Sequence, residues 1–178
     1  MKKIATKLQA KQFSGMKSVQ AKSGHWAGNK GQNGVVAFCV HGKTGSFAGK
    51  SVSQKFAPFN LVQVIQDGLP VQELYDLQAS LDVPMEQLFP MLGISKATHH
   101  RRKASGKLDA GESDRVVRFA RLMGKAVEVM ESEENARRWL TSPQVGLGGA
   151  VPLAFARTEV GAREVEDLLG RIEYGVYS

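Results

Sequence analysis

From Pro58 onward the apolar positions recur in steps of three and four, the spacing that places them on one face of an α-helix. Leu61, Val64 and Ile65 predict a first short helix ended by Gly68. Pro70 opens a second, with Val71, Leu74, Leu77, Ala79 and Leu81 apolar, and Val83-Pro84 opens a third, with Met85, Leu88 and Phe89 inward. Pro90 removes a backbone donor from that third helix, which should be short or kinked. Further on, Val116, Ala120, Met123, Val127 and Met130 form a long stripe. Asp109 and Glu112 stand before it as a capping box, with Asp in place of the usual Ser or Thr. Ser132 caps a short helix closed by Trp139 and Leu140 ahead of Pro143. Gly146, Gly148 and Gly149 mark an irregular connection, and Pro152 suits the first turn of another short helix. Thr158 caps the last helix, whose face is Val165, Leu168, Leu169 and Ile172 and whose terminator is Gly175. The pattern is that of an all-α protein.

The first third has a different texture. Residues 1–57 are rich in Lys, Gly, Ser and Gln and contain no acidic residue and no Pro, so disorder is the expectation. One apolar run, Val35 to Val40, is flanked by Gly34 and Gly42 and reads as strand-like. It would either add a strand to a partner or remain a sticky patch in a loose tail. Charge sharpens the division: the net charge is +7, yet residues 1–55 hold 10 Lys and no acid, leaving 14 basic against 17 acidic residues beyond. The layout is a basic, flexible N-terminal arm in front of a neutral-to-acidic helical body.

Between Pro84 and Gly106 the layout is that of a helix-turn-helix: a short apolar helix to Leu92, a turn at Gly93, Ile94 inward, and a second helix from Lys96 to Ser105 capped by Ser95. That second helix carries Ser95, Lys96, Thr98, His99, Arg101, Arg102 and Lys103 as candidate DNA-binding residues and has almost no apolar face. Lys and Arg neutralise phosphates and release counterions, and an Arg can also donate two bonds to guanine. The pattern alone leaves open whether Arg101 or Arg102 faces bases.

Other chemistries find little support. Ala37 to Thr44 reads A-x-x-x-x-G-K-T, one glycine short of a phosphate-binding loop, but Gly45-Ser46 follows where a helix should start. The four histidines are not joined by clustered Cys or carboxylates, so no metal site and no cofactor is expected. Glu164, Glu166 and Asp167 read as a solvated helix face, Asp114 and Arg115 as surface or interdomain ion-pair partners, and Trp139 as a core or interface aromatic. No catalytic residue is expected. A lone cysteine, Cys39, suits a reducing cytosol, and neither a membrane span nor a secretory leader is evident. The last six residues, Glu173 to Ser178, carry two Tyr and a Val where chain ends are usually polar, which points to an interface or to local packing.

Four separated motifs, ESDR from Glu112, RRWL from Arg137, LGG-x-x-PL from Leu147, and RIEYGVYS from Arg171, together resemble the toxin-binding domain of the Xre/MbcA/ParS family of bacterial antitoxins. The preceding Arg101-Arg102, Gly106 and Leu108 sit where that family's Xre-like helix-turn-helix has its RR-x-x-x-G-x-L, and Lys96 stands where the family commonly has an arginine. The resemblance implies three segments: the arm (1–57), a helix-turn-helix domain (58–108) and a toxin-binding domain (109–178). It implies a bacterial, cytoplasmic, non-enzymatic antitoxin, homodimeric on a palindromic operator. Its partner would be a RES-domain or related NAD-targeting toxin, held by Arg171, Tyr174, Gly175, Val176, Tyr177 and Ser178. The rival expectation is a stand-alone transcriptional regulator whose C-terminal helices dimerise or bind a ligand.

Overall fold

The computed structural model describes residues 34–41 and 58–176. Among them the architecture is all helical: α1 (Val35–His41), α2 (Pro58–Asp67), α3 (Gln72–Leu81), α4 (Met85–Leu92), α5 (Lys96–Ser105), α6 (Ala110–Met130), α7 (Glu133–Thr141), α8 (Pro152–Phe155) and α9 (Glu159–Glu173), with a 3-10 turn at Val145–Leu147. The helix starts follow local chemistry. Asp109 and Glu112 form both halves of the capping box at α6. Ser95, Ser132 and Thr158 each accept a backbone N–H at the heads of α5, α7 and α9. Pro152 occupies the first turn of α8, and α4 stops after eight residues with Pro90 inside it.

α6 is the axis. Val116, Ala120 and Met123 of its expected stripe are fully buried, while Val127 and Met130 pack at the core's edge. Val117, Phe119, Leu122 and Ala126 are buried as well, so the helix is covered on more than one side. α1, α2, α3, α4, α7 and α9 all pack on it. Truncating a side chain such as Leu122 in this setting costs roughly 2–5 kcal/mol, because the surrounding helices cannot all close on the void.

The strand-like reading of Val35 to Val40 is corrected: the segment is the helix α1. Val is a strand former by propensity, but tertiary contacts override it here. The carboxylate of the buried Glu73 accepts the N–H of Val35 and of Val36, each at 2.9 Å, and so caps α1 from 37 residues or more away in sequence. Val35, Val36 and Val40 are buried in the common core. At Gly124 the α6 backbone comes so close that a Cβ would stand 2.1 Å from the Cys39 carbonyl oxygen. Ala37 therefore lies inside a helix rather than at the end of a strand, which removes the front of the phosphate-loop pattern. The rest of the arm, expected to be disordered, lies outside the described residues, as do Gly42 to Gly45 of that pattern.

Candidate functional site

The α4–α5 pair has helix-turn-helix geometry. Gly93 adopts φ +64°, its N–H closing on Phe89 and Pro90, and the N–H of Ile94 bonds to the Phe89 carbonyl at 2.9 Å. Ile94 is buried, which fixes the turn. Ser95 accepts from the Thr98 N–H at 3.0 Å, and the two hydroxyls share a further hydrogen bond of 2.9 Å. α5 has no buried residue of its own.

Its two sides differ. Ala97, Arg101 and Ala104 follow one another at helical spacing and are exposed, with Lys96, His100 and Lys103 exposed alongside. Two small alanines flank the exposed Arg101 on this side. The inner side is engaged with the body. His99 shares a 2.9 Å hydrogen bond with the Tyr75 hydroxyl and packs its ring 4.9 Å from that of Phe89. Burial, with His100 and Lys103 nearby, pulls its pKa below the ordinary histidine value. Arg102 donates through Nε to Glu112 at 2.7 Å and through a terminal nitrogen to Asp109 at 2.6 Å. Of the seven candidate DNA residues, Lys96, Arg101 and Lys103 thus face outward, while Ser95 and Thr98 form the cap. His99 and Arg102 hold α5 to α3, α4 and α6. Arg102 is the fastening of this helix, since two carboxylates already engage its guanidinium.

Asp109 and Glu112 are tied into one cluster. Glu112, almost fully buried, also accepts the Asp109 N–H at 2.9 Å, and Asp109 accepts the Glu112 N–H at 2.7 Å. That backbone bond, helped by Arg102 and Arg115, holds the Asp109 carboxyl below the usual range. Arg115 itself donates to the Leu92 carbonyl at 2.5 Å and so closes the end of α4, in addition to its charge interaction with Asp109. Asp114 does form an ion pair, with Arg118 at 2.9 Å.

At the other end of the molecule α9 is clasped to α6 twice. Arg118 reaches Glu159 at 3.0 Å near the head of α9, and Lys125 reaches Glu173 at 2.5 Å near its foot. Val165 and Leu169 fill the core between them, with Leu168 and Ile172 half-buried. Past Glu173 the chain closes in a Schellman motif. The Gly175 N–H bonds to Ile172 at 3.1 Å and the Val176 N–H to Arg171 at 2.9 Å, with Gly175 at φ +68°. The motif sets the backbone at the foot of the helix, where Tyr174 is 80% exposed and Val176 52% exposed. Arg171 sits one turn back with a buried Nε that has no hydrogen-bond partner. Arg171, Tyr174, Gly175 and Val176 are therefore brought together; Tyr177 and Ser178 lie outside the described residues. The acidic trio does not form a buried pair: Glu164 and Asp167 are exposed and Glu166 half-buried. Among the described residues, no group of three or more His, Cys, Asp or Glu is placed to hold a metal, and no helix is long and apolar enough to cross a membrane.

Sequence reasoning missed two exposed apolar side chains in this half, Val145 at 96% and Val160 at 71% exposure. Val160 begins the outward row of α9 that continues through Glu164 and Asp167 to Tyr174, with the half-buried Arg171 between the last two, a period visible in the sequence once the buried face is set aside. Gly146 lets the 3-10 turn sit on Leu168, where a Cβ would come within 2.6 Å, so the Val145 loop is held against α9. A cleft of 610 Å³ between α2, α6 and α9, with Leu61, Ile65, Val117 and Ala162 at its walls, is rimmed by Arg121 and Glu166.

Two family models match the chain: an Antitoxin Xre-like helix-turn-helix domain over residues 61–121, and the Antitoxin Xre/MbcA/ParS C-terminal toxin-binding domain over residues 125–175. They meet inside α6. Among curated proteins, the "Antitoxin Xre" of Yersinia enterocolitica is 35% identical over 120 residues, covering 66% of this chain and 81% of the relative. That of Photorhabdus laumondii is 34% identical over 121 residues, covering 67% and 82%. That of Pseudomonas putida is 29% identical over 93 residues, covering 52% and 56%.

Proposed function

The chain belongs to the Xre/MbcA/ParS antitoxin family, and from that premise we propose that it is the antitoxin of a type II pair, with α5 on operator DNA and the foot of α9 on a toxin. The toxin in this reading is a RES-domain or related enzyme that degrades NAD or transfers ADP-ribose. Arg171, Tyr174, Gly175 and Val176, with Tyr177 and Ser178 beyond them, close its active site. The antitoxin performs no chemistry and acts in the bacterial cytoplasm. It binds its operator as a homodimer, through Lys96 and Lys103 on phosphates and Arg101 on base edges, and so represses its own operon.

One observation carries the toxin half of this reading. Tyr174 and Val176 stand largely in solvent, on a helix end whose backbone is closed by a Schellman motif and whose helix is clasped to α6 by two ion pairs. An exposed aromatic-apolar tip has no task in the chain's own core, and tyrosine is well suited to an interface because little entropy is lost on docking. The test is co-expression of the toxin gene with a chain lacking residues 175–178. NAD loss and growth arrest should return; full protection by the shortened chain would exclude active-site closure by the tip, and copurification of the two would then locate binding elsewhere.

A further inference from the structure

The connection between α7 and α8 is a closed loop that presents an apolar side chain to solvent. Gln144 pairs with Ala150 across it, its N–H bonding to the Ala150 carbonyl at 3.0 Å. The Gln144 carbonyl accepts the N–H groups of Leu147 at 3.1 Å and of Gly149 at 2.9 Å, and its side-chain amide ties the base of the loop to the Trp139 carbonyl at 3.0 Å. Leu147 packs against the core and Gly146 lies on Leu168, so the loop is seated on α9. Val145, between that base and that seat, is 96% exposed.

One exposed valine alone carries no message, but its neighbours on α9 do. Leu168 is one helical turn from both Glu164 and Arg171, so the loop flanks the outward row that runs from Val160 to Tyr174. The middle of that row is Glu164 and Asp167. Both are exposed and enter no ion pair among the described residues, whereas Glu159 and Glu173 on the same helix are engaged by Arg118 and Lys125. The surface leading to the tip is therefore apolar at Val145 and Val160 and acidic between its ends. Such a surface repels nucleic acid and suits a partner that offers cations around an apolar patch. An enzyme that binds NAD has to carry cations, because the dinucleotide's diphosphate is an anion.

We propose that the Val145 loop, with Glu164 and Asp167 of α9, is a second contact of the antitoxin with its toxin: Val145 enters an apolar patch, and the two carboxylates meet cations at the mouth of the NAD-binding site. The proposal rests on the toxin half of the function above. The tip closes the active site, and the loop adds affinity beside it.

The experiment measures binding of the full chain to the purified product of the neighbouring toxin gene, and NAD turnover by that toxin with antitoxin in excess. Val145→Ser should weaken binding at least about tenfold, the loss expected when a valine buried by the partner is made polar. Val145→Ile should bind like the parent, and neither change should move the melting temperature, because the side chain stands in solvent in the free chain. In excess, Val145→Ser should still silence the toxin, since its tip is intact. The double variant Glu164→Gln, Asp167→Asn should associate more slowly and with a weaker dependence on salt. An unaltered association rate there overturns the acidic half of the contact. Unchanged affinity in Val145→Ser while Tyr174→Ala weakens binding overturns the loop contact and leaves the tip reading standing. Weakening by Val145→Ser with Tyr174→Ala indistinguishable from the parent supports the loop and sinks the tip instead. If Val145→Ser splits an antitoxin dimer in sedimentation and toxin affinity is unchanged, the loop serves a second copy and the proposal falls.

Discussion

Arg102 on α5 and Glu112 on α6 are joined from guanidinium Nε to carboxylate Oε2 at 2.7 Å, and the same carboxylate oxygen accepts the N–H of Asp109. One buried anion therefore caps the long axial helix and fastens the outward-facing helix to it. Arg102→Ala leaves Glu112 buried without its cation, and the N-cap bond alone does not replace that charge. We expect a lower melting temperature and weaker DNA binding together. Arg101→Ala, on the exposed side, should weaken binding to the operator duplex about tenfold, in line with roughly 1–3 kcal/mol for a bidentate base contact, and leave the melting temperature unchanged. Calorimetry and anisotropy on both variants check this.

The α6 cap has its own pH signature. The Asp109 carboxyl is held below its usual range, first by the Glu112 N–H and then by Arg102 and Arg115. A depressed carboxylate adds stability that is present above the ordinary pKa and is lost as pH falls through the folded value. Asp109→Ala should cost about 1 kcal/mol at neutral pH, the usual penalty for removing an N-cap. The difference from the parent in urea midpoints should shrink toward zero in acid.

Glu73 behaves in the opposite sense. Burial raises its pKa, against the pull of the Val36 and Val35 N–H groups, with Asp76 adding to the rise. A raised carboxylate adds stability that is complete below the ordinary pKa and is lost as pH climbs through the folded value. Glu73→Gln keeps an acceptor and carries no charge. Relative to that variant, the parent should lose urea stability as pH rises from the ordinary glutamate pKa of about 4 through the raised folded value. A difference independent of pH would remove the charge-burial account.

Burial where α1 packs on α6 also pushes the Cys39 thiol up to about 11, with Arg121 opposing and Glu73 adding. Only the thiolate attacks a disulfide reagent, so Cys39 should react slowly at about pH 8. Gly124→Val places side-chain atoms where the Cys39 carbonyl now stands. Displacing α1 in this way should speed the reaction at least about tenfold, toward the rate of a free thiol.

At the foot of α9, Gly175 has φ +68°, a conformation that costs a residue with a Cβ roughly 1–2 kcal/mol. Gly175→Val should re-aim Tyr174 and Val176 while leaving the core of α6 and α9 intact. The expected result is weaker toxin binding with little change in melting temperature, checked by titration calorimetry and a thermal scan of the same sample.

Helix existence was legible wherever the signal was local. The caps Ser95, Asp109, Ser132 and Thr158, the terminators Gly68 and Gly175, and Pro152 announce their elements within three or four residues, and each stands where its pattern implied. α1 was hidden because what makes it helical is a carboxylate on α3 and a glycine on α6, neither visible from VVAFCV. The division of labour between Arg101 and Arg102 was hidden for a related reason. Adjacent helical positions point about 100° apart, and which faces inward depends on where Asp109 and Glu112 return. A clue was present: Gly106 ends the helix and an acidic cap follows at once, so the chain was bound to bring a carboxylate back to its last turn. α6 was legible as one stripe and is in fact covered more widely, since Val117, Phe119, Leu122 and Ala126 also lie inside.

If the aromatic tip of α9 grips and silences a toxin, equilibrium binding of Tyr174→Ala to the product of the neighbouring toxin gene must show it. Truncating an exposed tyrosine at the heart of an interface costs about 2 kcal/mol or more, so affinity should fall at least about thirtyfold. Toxin activity should reappear at stoichiometric antitoxin, with Arg101→Ala as an unaffected control. Binding and inhibition identical to the parent chain would mean that the tip does not hold the toxin.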